Sequence, residues 1–480
     1  MTKITGHTLI DLGYEPGKWF GAALKQCNEH SLSGKELINY LDSVKPKPIV
    51  QIQPHTTPAP YGIYLDDPVS EDEKANYEQV LKTMEEVMKT PTVIEGAIMP
   101  DACPAGPVGT IPVGGVVVAD SAIHPSMHSA DICCSVYATK LPKDFRFGDD
   151  IDDVCKQVLN AAFNITHFGK GGRNTPLIDL PLTLQLMMEE NLYLNDQHII
   201  QMAKSHMSTQ GDGNHFLFVG YDEQGEVWIV THHGSRGVGA ALYKKGRAVA
   251  ERFRKKLSPN TPKHNGWIPF DTQEGKQYWD ALQIVKDWTY LNHKSIHNAI
   301  LRAVMNTDDE LSTIYNTIWN THNFVYRDKS NLTHFYHAKG ATPMSYDLIS
   351  DLNDLVYSSK RLIPLNMTQP ILVVEPVNRS SLSQSVGFAP HGAGRLISRT
   401  QHKKNNQHKT AEQLLQKETD GYDIRFFGEP DISELPSAYK NAHQIVDQIE
   451  RYFGDETVIT NRIYPYGSIM AGNIKQLKKS

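Results

Sequence analysis

The chain has 480 residues, 40% hydrophobic and 21% charged, with 48 Lys and Arg against 54 Asp and Glu for a net charge of -6. This balance fits a soluble globular protein and argues against non-specific coating of nucleic acid, though not against a local basic groove. No run of about 18 apolar residues and no basic-then-apolar leader is seen, and the five cysteines (Cys27, Cys103, Cys133, Cys134, Cys155) make no disulfide framework, so no membrane partner and a cytoplasmic location are expected.

Residues 1–68 mix short apolar runs with proline-rich loops such as KPKPIVQIQPHTTPAP. The next stretch, SEDEKANYEQVLKTMEEVMKT, has the charge pattern and apolar spacing of a helix that stops at Thr90, before Pro91. Residues 1–90 are therefore expected as an N-terminal layer and joining helix without independence, and 91–480 as one catalytic domain. AGPVGTIPVGGVVVAD suggests strands with bulges or tight turns. Helices are expected over 151–163, 181–205, 240–257, 275–306 and 346–358. They do not alternate cleanly with strands, which favours an α+β fold over a doubly wound sheet.

Several segments carry chemistry. In HSADICCSV, Asp131 and Cys134 set a hard and a soft ligand three positions apart, and a thiolate can bridge two ions. In GDGNHFLFVGYDEQGEVWIVTHHGSRGVG, two β-rich runs flank DEQG, a hairpin signature. A two- or four-residue loop centred on Glu223 and Gln224 pairs 221 with 226, and that register sets His215 opposite His232, close enough to share a metal. HGSRGVG, with Arg236, opens a helix and has the form of an anion site. Farther on, His322 follows an apolar run, Arg327 and Lys339 are candidates to hold phosphate, and His334 and His337 are expected at the surface or behind the site. FAPHGAGRLISR places His391 beside Gly392 and Gly394, with Arg395 and Arg399 following. Asp131, Cys134, His215, His232, His322 and His391 together form a set typical of a thiophilic divalent site, for which Zn²⁺ and Mn²⁺ both suit the ligand types. His391 is either a ligand or an unmetallated nucleophile.

DICC, GNHF, HxGSRGxG, HNF, KGAT, HGAGRxxSR and AYKN occur in the order found in the RtcB family of RNA-splicing ligases, which the chain resembles over roughly residues 95 to 472. The resemblance implies central packed antiparallel β-sheets flanked by helices. It also implies joining of an RNA 3′-phosphate or 2′,3′-cyclic phosphate to a 5′-hydroxyl, with GTP and two Mn²⁺ ions, in RNA repair or tRNA splicing. By resemblance, Cys134 bridges the metals, with Asp131 and His215 on one and His232 and His322 on the other, and His391 carries GMP. Asn214 and Arg236 match phosphate contacts, Tyr439 matches a residue near guanine, and Gly392, Gly394 and Arg395 belong to the nucleotide loop. An archease-like activator is a candidate partner.

The chain departs from the family pattern at Phe218, where an acidic residue is usual, and at Met470 and Ala471, where a lysine lies near the base. It also departs at Pro390, usually serine, and in VVEPVNRSSLSQSVG. These mark a divergent branch and leave the preferred base open. A metal-dependent RNA-end phosphoesterase without ligation is the alternative enzyme, and an RNA-end binding protein without catalysis the non-enzymatic one.

Overall fold

The computed structural model describes residues 3–46, 50–142, 150–306, 317–344, 359–376, 386–454 and 457–472. Two compact units emerge, Met1–Ile52 and Gln53–Ser480. In the first, helices Gly6–Asp11, Trp19–Glu29 and Gly34–Val44 enclose Leu9, Phe20, Cys27, Leu37 and Leu41.

The larger unit contains the helix Glu71–Met88. Its start is a capping box: Ser70 Oγ accepts the Glu73 N–H at 3.2 Å, and the Glu73 carboxylate accepts the Ser70 N–H at 3.1 Å. Val80, Met84, Val87 and Met88 on its inner face pack on Val93, Ile98 and Val117. Those three belong to a five-stranded sheet, ordered Tyr61–Ile63, Val93–Cys103, Val113–Asp120, His334–Lys339, Asn323–Arg327. Its first pair is parallel and the rest are antiparallel.

An eight-stranded sheet runs Arg361–Pro364, Ile371–Pro376, Thr457–Ala471, Phe216–Asp222, Val227–His233, Ser135–Lys140, Thr317–Thr321, with Asp423–Phe427 parallel to Thr457–Ala471. Mixed helices and largely antiparallel sheets make this an α+β fold, as the sequence implied. Among the described residues no helix is long and apolar enough to cross a membrane.

The helix expected over 181–205 is two, Leu182–Glu190 and Gln197–Ser205. Asn191 Oδ1 accepts the Tyr193 N–H and Asp196 Oδ1 the His198 N–H, both at 2.9 Å, so local side chains compete for the backbone and break the run. Helices Ile151–Ile165, Arg236–Leu257 and Gln273–Met305 occupy the other expected places. The stretch 346–358 lies outside the described residues.

Gln273–Met305 packs behind the eight-stranded sheet through histidines as well as apolar groups. His293 pairs with Ser135 Oγ at 3.0 Å and Thr231 Oγ1 at 2.7 Å, and His297 with Thr231 Oγ1 at 2.8 Å and Thr139 Oγ1 at 2.9 Å. Burial drives His297 down to about 3 and His293 well below its ordinary value. These rings are neutral structural groups. His337, expected at the surface or behind the site, is likewise fully buried and accepts the His124 N–H at 2.9 Å.

The hairpin register corrects the expectation. Asp222 O accepts the Gly225 N–H at 2.9 Å, and Asp222 N–H donates to Glu226 O at 3.0 Å. The loop is thus 223–225, with Gly225 at φ +72°. A three-residue loop with a left-handed last residue shifts the pairing by one. Phe216, not His215, is opposite His232.

Candidate active site

His215 still reaches His232, because it precedes the strand in the turn at 212–215; the rings lie 5.5 Å apart, edge to face. His232 and His233 are successive strand residues and face opposite ways. His232 turns to the cavity and His233 stacks at 3.5 Å on His293 behind.

Asp131 to Cys134 form a tight turn in which the Cys134 N–H meets Asp131 O at 3.2 Å. Cys133 takes φ +59° and is held by its N–H on Asn323 O at 2.7 Å. This left-handed residue sets Asp131 and Cys134 on one side. The His322 N–H donates to Cys134 O at 2.9 Å, joining the end of strand Thr317–Thr321 to that turn.

Two ligand groups result, Asp131–Cys134–His215 and Cys134–His232–His322, each with its donor atoms within 4.8 Å of one another and with Cys134 common to both. His215 Nε2 lies 2.9 Å from Asp131 Oδ2 and 3.6 Å from Cys134 Sγ. His232 Nε2 lies 3.2 Å from both Cys134 Sγ and His322 Nε2. One proton cannot satisfy a nitrogen facing two such atoms, whereas a cation can. His232 Nδ1 donates to Asn214 O at 3.0 Å, which leaves the Nε2 lone pair free, as a metal ligand needs.

Burial lowers His232 to about 3 and His322 well below its usual value, so both rings are neutral. Burial raises the Asp131 carboxyl, but the charge and hydrogen bond of His215 outweigh it and hold the group at about 2. Burial and the neighbouring Asp131 push the Cys134 thiol well up. This donor set fits two divalent ions sharing a sulfur.

His391 follows the short strand Phe388–Pro390, which pairs with Ala341–Pro343. Pro390 stands opposite Ala341 at the end of that two-stranded ribbon, where a missing N–H is tolerated. The ribbon brings Gly340 against His391: a Cβ there would lie 2.9 Å from His391 Cε1, and its φ of +69° also calls for glycine. The His391 ring lies 4.8 Å from that of His322.

Asp101, fully buried in strand Val93–Cys103, holds the nucleophile candidate. Its Oδ2 accepts from His391 Nδ1 at 2.6 Å, from the His391 N–H at 3.1 Å and from the Gly392 N–H at 3.3 Å. With its proton on Nδ1, the imidazole presents the Nε2 lone pair.

Asp131, Cys134, His232, His322 and His391 line a single cavity of about 320 Å³, along with Asn214, Lys339, Gly392, Gly394, Arg395 and Tyr439, while His215 stands behind Asp131 and Cys134 outside that lining. Burial lowers the Lys339 ammonium to about 8. Buried Glu434 collects the far end: Arg399 Nε donates to Oε1 at 2.6 Å, and Arg395 Nη1 at 3.2 Å and the Tyr439 hydroxyl at 2.5 Å to Oε2. The Arg395 guanidinium sits 5.2 Å over the Tyr439 ring.

Arg236 is not among the cavity-lining residues. Its guanidinium is spent on Gly169 O at 2.6 Å, Gly171 O at 3.3 Å and Thr209 Oγ1 at 3.2 Å. The helix start around it is a brace: Ser235 Oγ donates to Ile132 O at 2.5 Å and the Gly237 N–H to His206 Nδ1 at 3.3 Å. Arg327 lies against Phe270 and Phe335, away from the cavity. Asp101 and Glu434 escaped the sequence reading. The only signal for Asp101 is an acid inside the apolar run AIMPDAC.

A family model described as tRNA-splicing ligase RtcB matches residues 184–458, more than half of the chain. The chain belongs to the RtcB family. Among curated RtcB proteins, the tRNA-splicing ligase RtcB of Thermococcus kodakarensis is 24% identical over 81% of this chain and 90% of its own length. That of Archaeoglobus fulgidus is 25% identical over 52% of this chain, and the match spans 56% of the relative. The RNA-splicing ligase RtcB of Escherichia coli is 22% identical over 64% of this chain and 75% of its own length. Identities this low describe a divergent RtcB member, and membership supports an RNA ligase function.

Proposed function

We propose that this RtcB protein joins an RNA 3′-phosphate or 2′,3′-cyclic phosphate end to a 5′-hydroxyl end in RNA repair or tRNA splicing, using GTP and two Mn²⁺ ions and carrying GMP on His391. The observation that supports it most is the His391 imidazole, fixed at Nδ1 by buried Asp101 while its ring sits 4.8 Å from His322. Asp131, Cys134 and His215 would hold one ion and Cys134, His232 and His322 the other; when bound, such ions neutralise charge on phosphoryl oxygens.

His391 Nε2 attacks the α-phosphorus of GTP: an N–P bond forms, the bond to the β-phosphate oxygen breaks, and pyrophosphate leaves with the electron pair. The proton stays on Nδ1, donated in a hydrogen bond to Asp101 Oδ2, and the carboxylate offsets the positive charge that develops on the ring. An RNA 3′-phosphate oxygen then takes the guanylyl group, returning the electron pair to Nε2. The 5′-hydroxyl oxygen attacks the activated 3′-phosphorus, its proton is lost, and GMP departs as the phosphodiester forms. A cyclic phosphate end first needs hydrolysis to the 3′-phosphate. Lys339 lines the cavity as a cation for the phosphates, whereas the Arg395 guanidinium there is shared among Ile397 O, Ser433 O and Glu434.

The protein with Mn²⁺ and labelled GTP is expected to give an acid-labile, alkali-stable protein adduct, which His391→Ala abolishes together with joining. An archease-like activator, a further proposed partner, is added in a parallel reaction. Absence of an adduct with any nucleotide overturns the covalent route. Loss of the cyclic phosphate without nucleotide and without joined product points instead to a phosphoesterase.

A further inference from the structure

The segment RLISRTQHKKNNQHKT, residues 395–410, carries Arg395, Arg399, Lys403, Lys404 and Lys409 and no Asp or Glu, in a chain whose net charge is -6. Within it Ser398 caps the helix Arg399–Asn405, its Oγ accepting the Gln401 N–H at 3.1 Å. Arg399 lines the cavity and residues 400–409 do not, so the helix leads from the site to the outside. The acids facing it lie mainly in the segment 431–434. Asp431 takes Lys403 at 3.0 Å, and both oxygens of Glu434 accept from Arg395, Arg399 and Tyr439. Glu418, from the next helix, is bonded to Ser437.

Cationic donors are left over. The Arg399 side chain is half-exposed and its Nε serves Glu434, while Nη1 and Nη2 have no acceptor among the described residues. Nη2 reaches the turn that carries Asn214, where a Cβ on Gly213 would lie 3.2 Å from it. Lys404 and Lys409 are exposed and have no partner among the described residues. Arg399 and Lys403 are about one helical turn apart, roughly 6 Å along the axis, a step comparable to that between neighbouring phosphates of a nucleic-acid strand. Helix Arg236–Leu257 is also basic but differs on both counts. It pairs Lys245, Arg252, Arg254 and Lys255 with Asp196, Glu274 and Glu251, and none of its residues lines the cavity.

We infer that the RNA strand ending in the 3′-phosphate leaves the cavity past Arg399 and runs along helix Arg399–Asn405 and the turn after it, with Lys404 and Lys409 on its phosphates. The choice of strand rests on the proposed function, in which His391, in the same segment as Arg399, hands the guanylyl group to a 3′-phosphate. A chain of net negative charge needs such a local track to attract RNA, and phosphate contacts serve any base sequence.

Binding of a labelled single-stranded RNA with a 3′-phosphate is measured by fluorescence anisotropy in Mn²⁺ buffer without nucleotide, over a range of salt. Each phosphate contact on a single strand adds about 0.7 to the slope of log affinity against log salt. Lys404→Gln/Lys409→Gln is expected to reduce that slope by about 1.4 and to weaken binding at about 50 mM salt tenfold or more. Lys244→Gln/Lys256→Gln, on the other basic helix, makes the same change in net charge and is expected to stay within about threefold of wild type. Both variants should form the GTP adduct at the wild-type rate, since these lysines lie outside the cavity. Equal weakening by the two pairs, or none by Lys404→Gln/Lys409→Gln, overturns the track. Equal weakening of a 5′-hydroxyl RNA that lacks the 3′-phosphate overturns the choice of strand. A wild-type protein that binds the RNA but forms no adduct loses the covalent route and keeps the track; one that binds no RNA loses both.

Discussion

Replacing Asp101 separates two roles that a carboxylate beside a nucleophilic imidazole can play. Its Oδ2 takes all three hydrogen bonds, from His391 Nδ1, the His391 N–H and the Gly392 N–H, while Oδ1 is buried with no partner. In Asp101→Asn the two backbone donors orient the new carbonyl oxygen into the Oδ2 position. Nδ1–H then still has an acceptor and Nε2 keeps its lone pair, so only the negative charge is lost. A hydrogen bond to a charged group exceeds a neutral one by about 1–1.5 kcal/mol, which is about a tenfold slower adduct formation. The amide NH₂ falls where Oδ1 had no partner, so stability drops by about 1–3 kcal/mol. Asp101→Ala removes the acceptor, the tautomer preference and the ring's tether together, and a loss of about 10²–10⁴-fold is expected. Single-turnover formation of the labelled adduct at saturating nucleotide measures both, with thermal melts alongside. An alanine variant within threefold of wild type, or an asparagine variant slower than alanine, refutes the assignment.

Cys134 belongs to both ligand groups, so Cys134→Ala is expected to weaken both metal sites by more than about 100-fold, beyond the loss typical of an outer-shell change. His215→Ala and His322→Ala should each empty one site; metal content by mass spectrometry after dialysis decides, and a Cys134 variant that keeps a full equivalent contradicts the sharing. Lys339, lowered by burial to about 8, is charged below that pH and neutral above it. Its charged fraction falls from about nine-tenths at pH 7 to about one-tenth at pH 9, so inorganic triphosphate should bind about tenfold more weakly at the higher pH. Calorimetry on Lys339→Met should give weak, pH-independent binding; an unaltered pH profile removes Lys339 from the phosphate site. Gly225→Ala forces a side chain into a left-handed conformation and should cost roughly 1–2 kcal/mol in denaturant midpoint analysis without altering metal content; an unchanged midpoint contradicts the loop geometry.

Local chemistry was readable where residue type and short spacing determine it. The Asp131–Cys134 turn, the helix that ends before Pro91 and the hairpin around DEQG all declare themselves within a few residues. Loop length was not readable, because DEQG accommodates two-, three- and four-residue turns and only the left-handed Gly225 decides among them. Arg236 illustrates another limit. A guanidinium after GS before a helix suits phosphate, yet the carbonyls of Gly169 and Gly171, remote in sequence, engage it. Asp101 acquires meaning only from His391, and Glu434 from Arg395 and Arg399, across long-range contacts that no local pattern encodes.

The strand Thr457–Ala471 lies between Ile371–Pro376 and Phe216–Asp222 in the middle of the eight-stranded sheet. It is synthesised after every strand it touches. As the nascent chain leaves the ribosome, two half-sheets must wait with complementary unpaired edges, each a template for the wrong neighbour. The side of the cavity lined by Ser468 and Met470 exists only once that strand is inserted. Chains stalled before residue 457 should therefore be the aggregation-prone species, and the ones a holdase would need to shield.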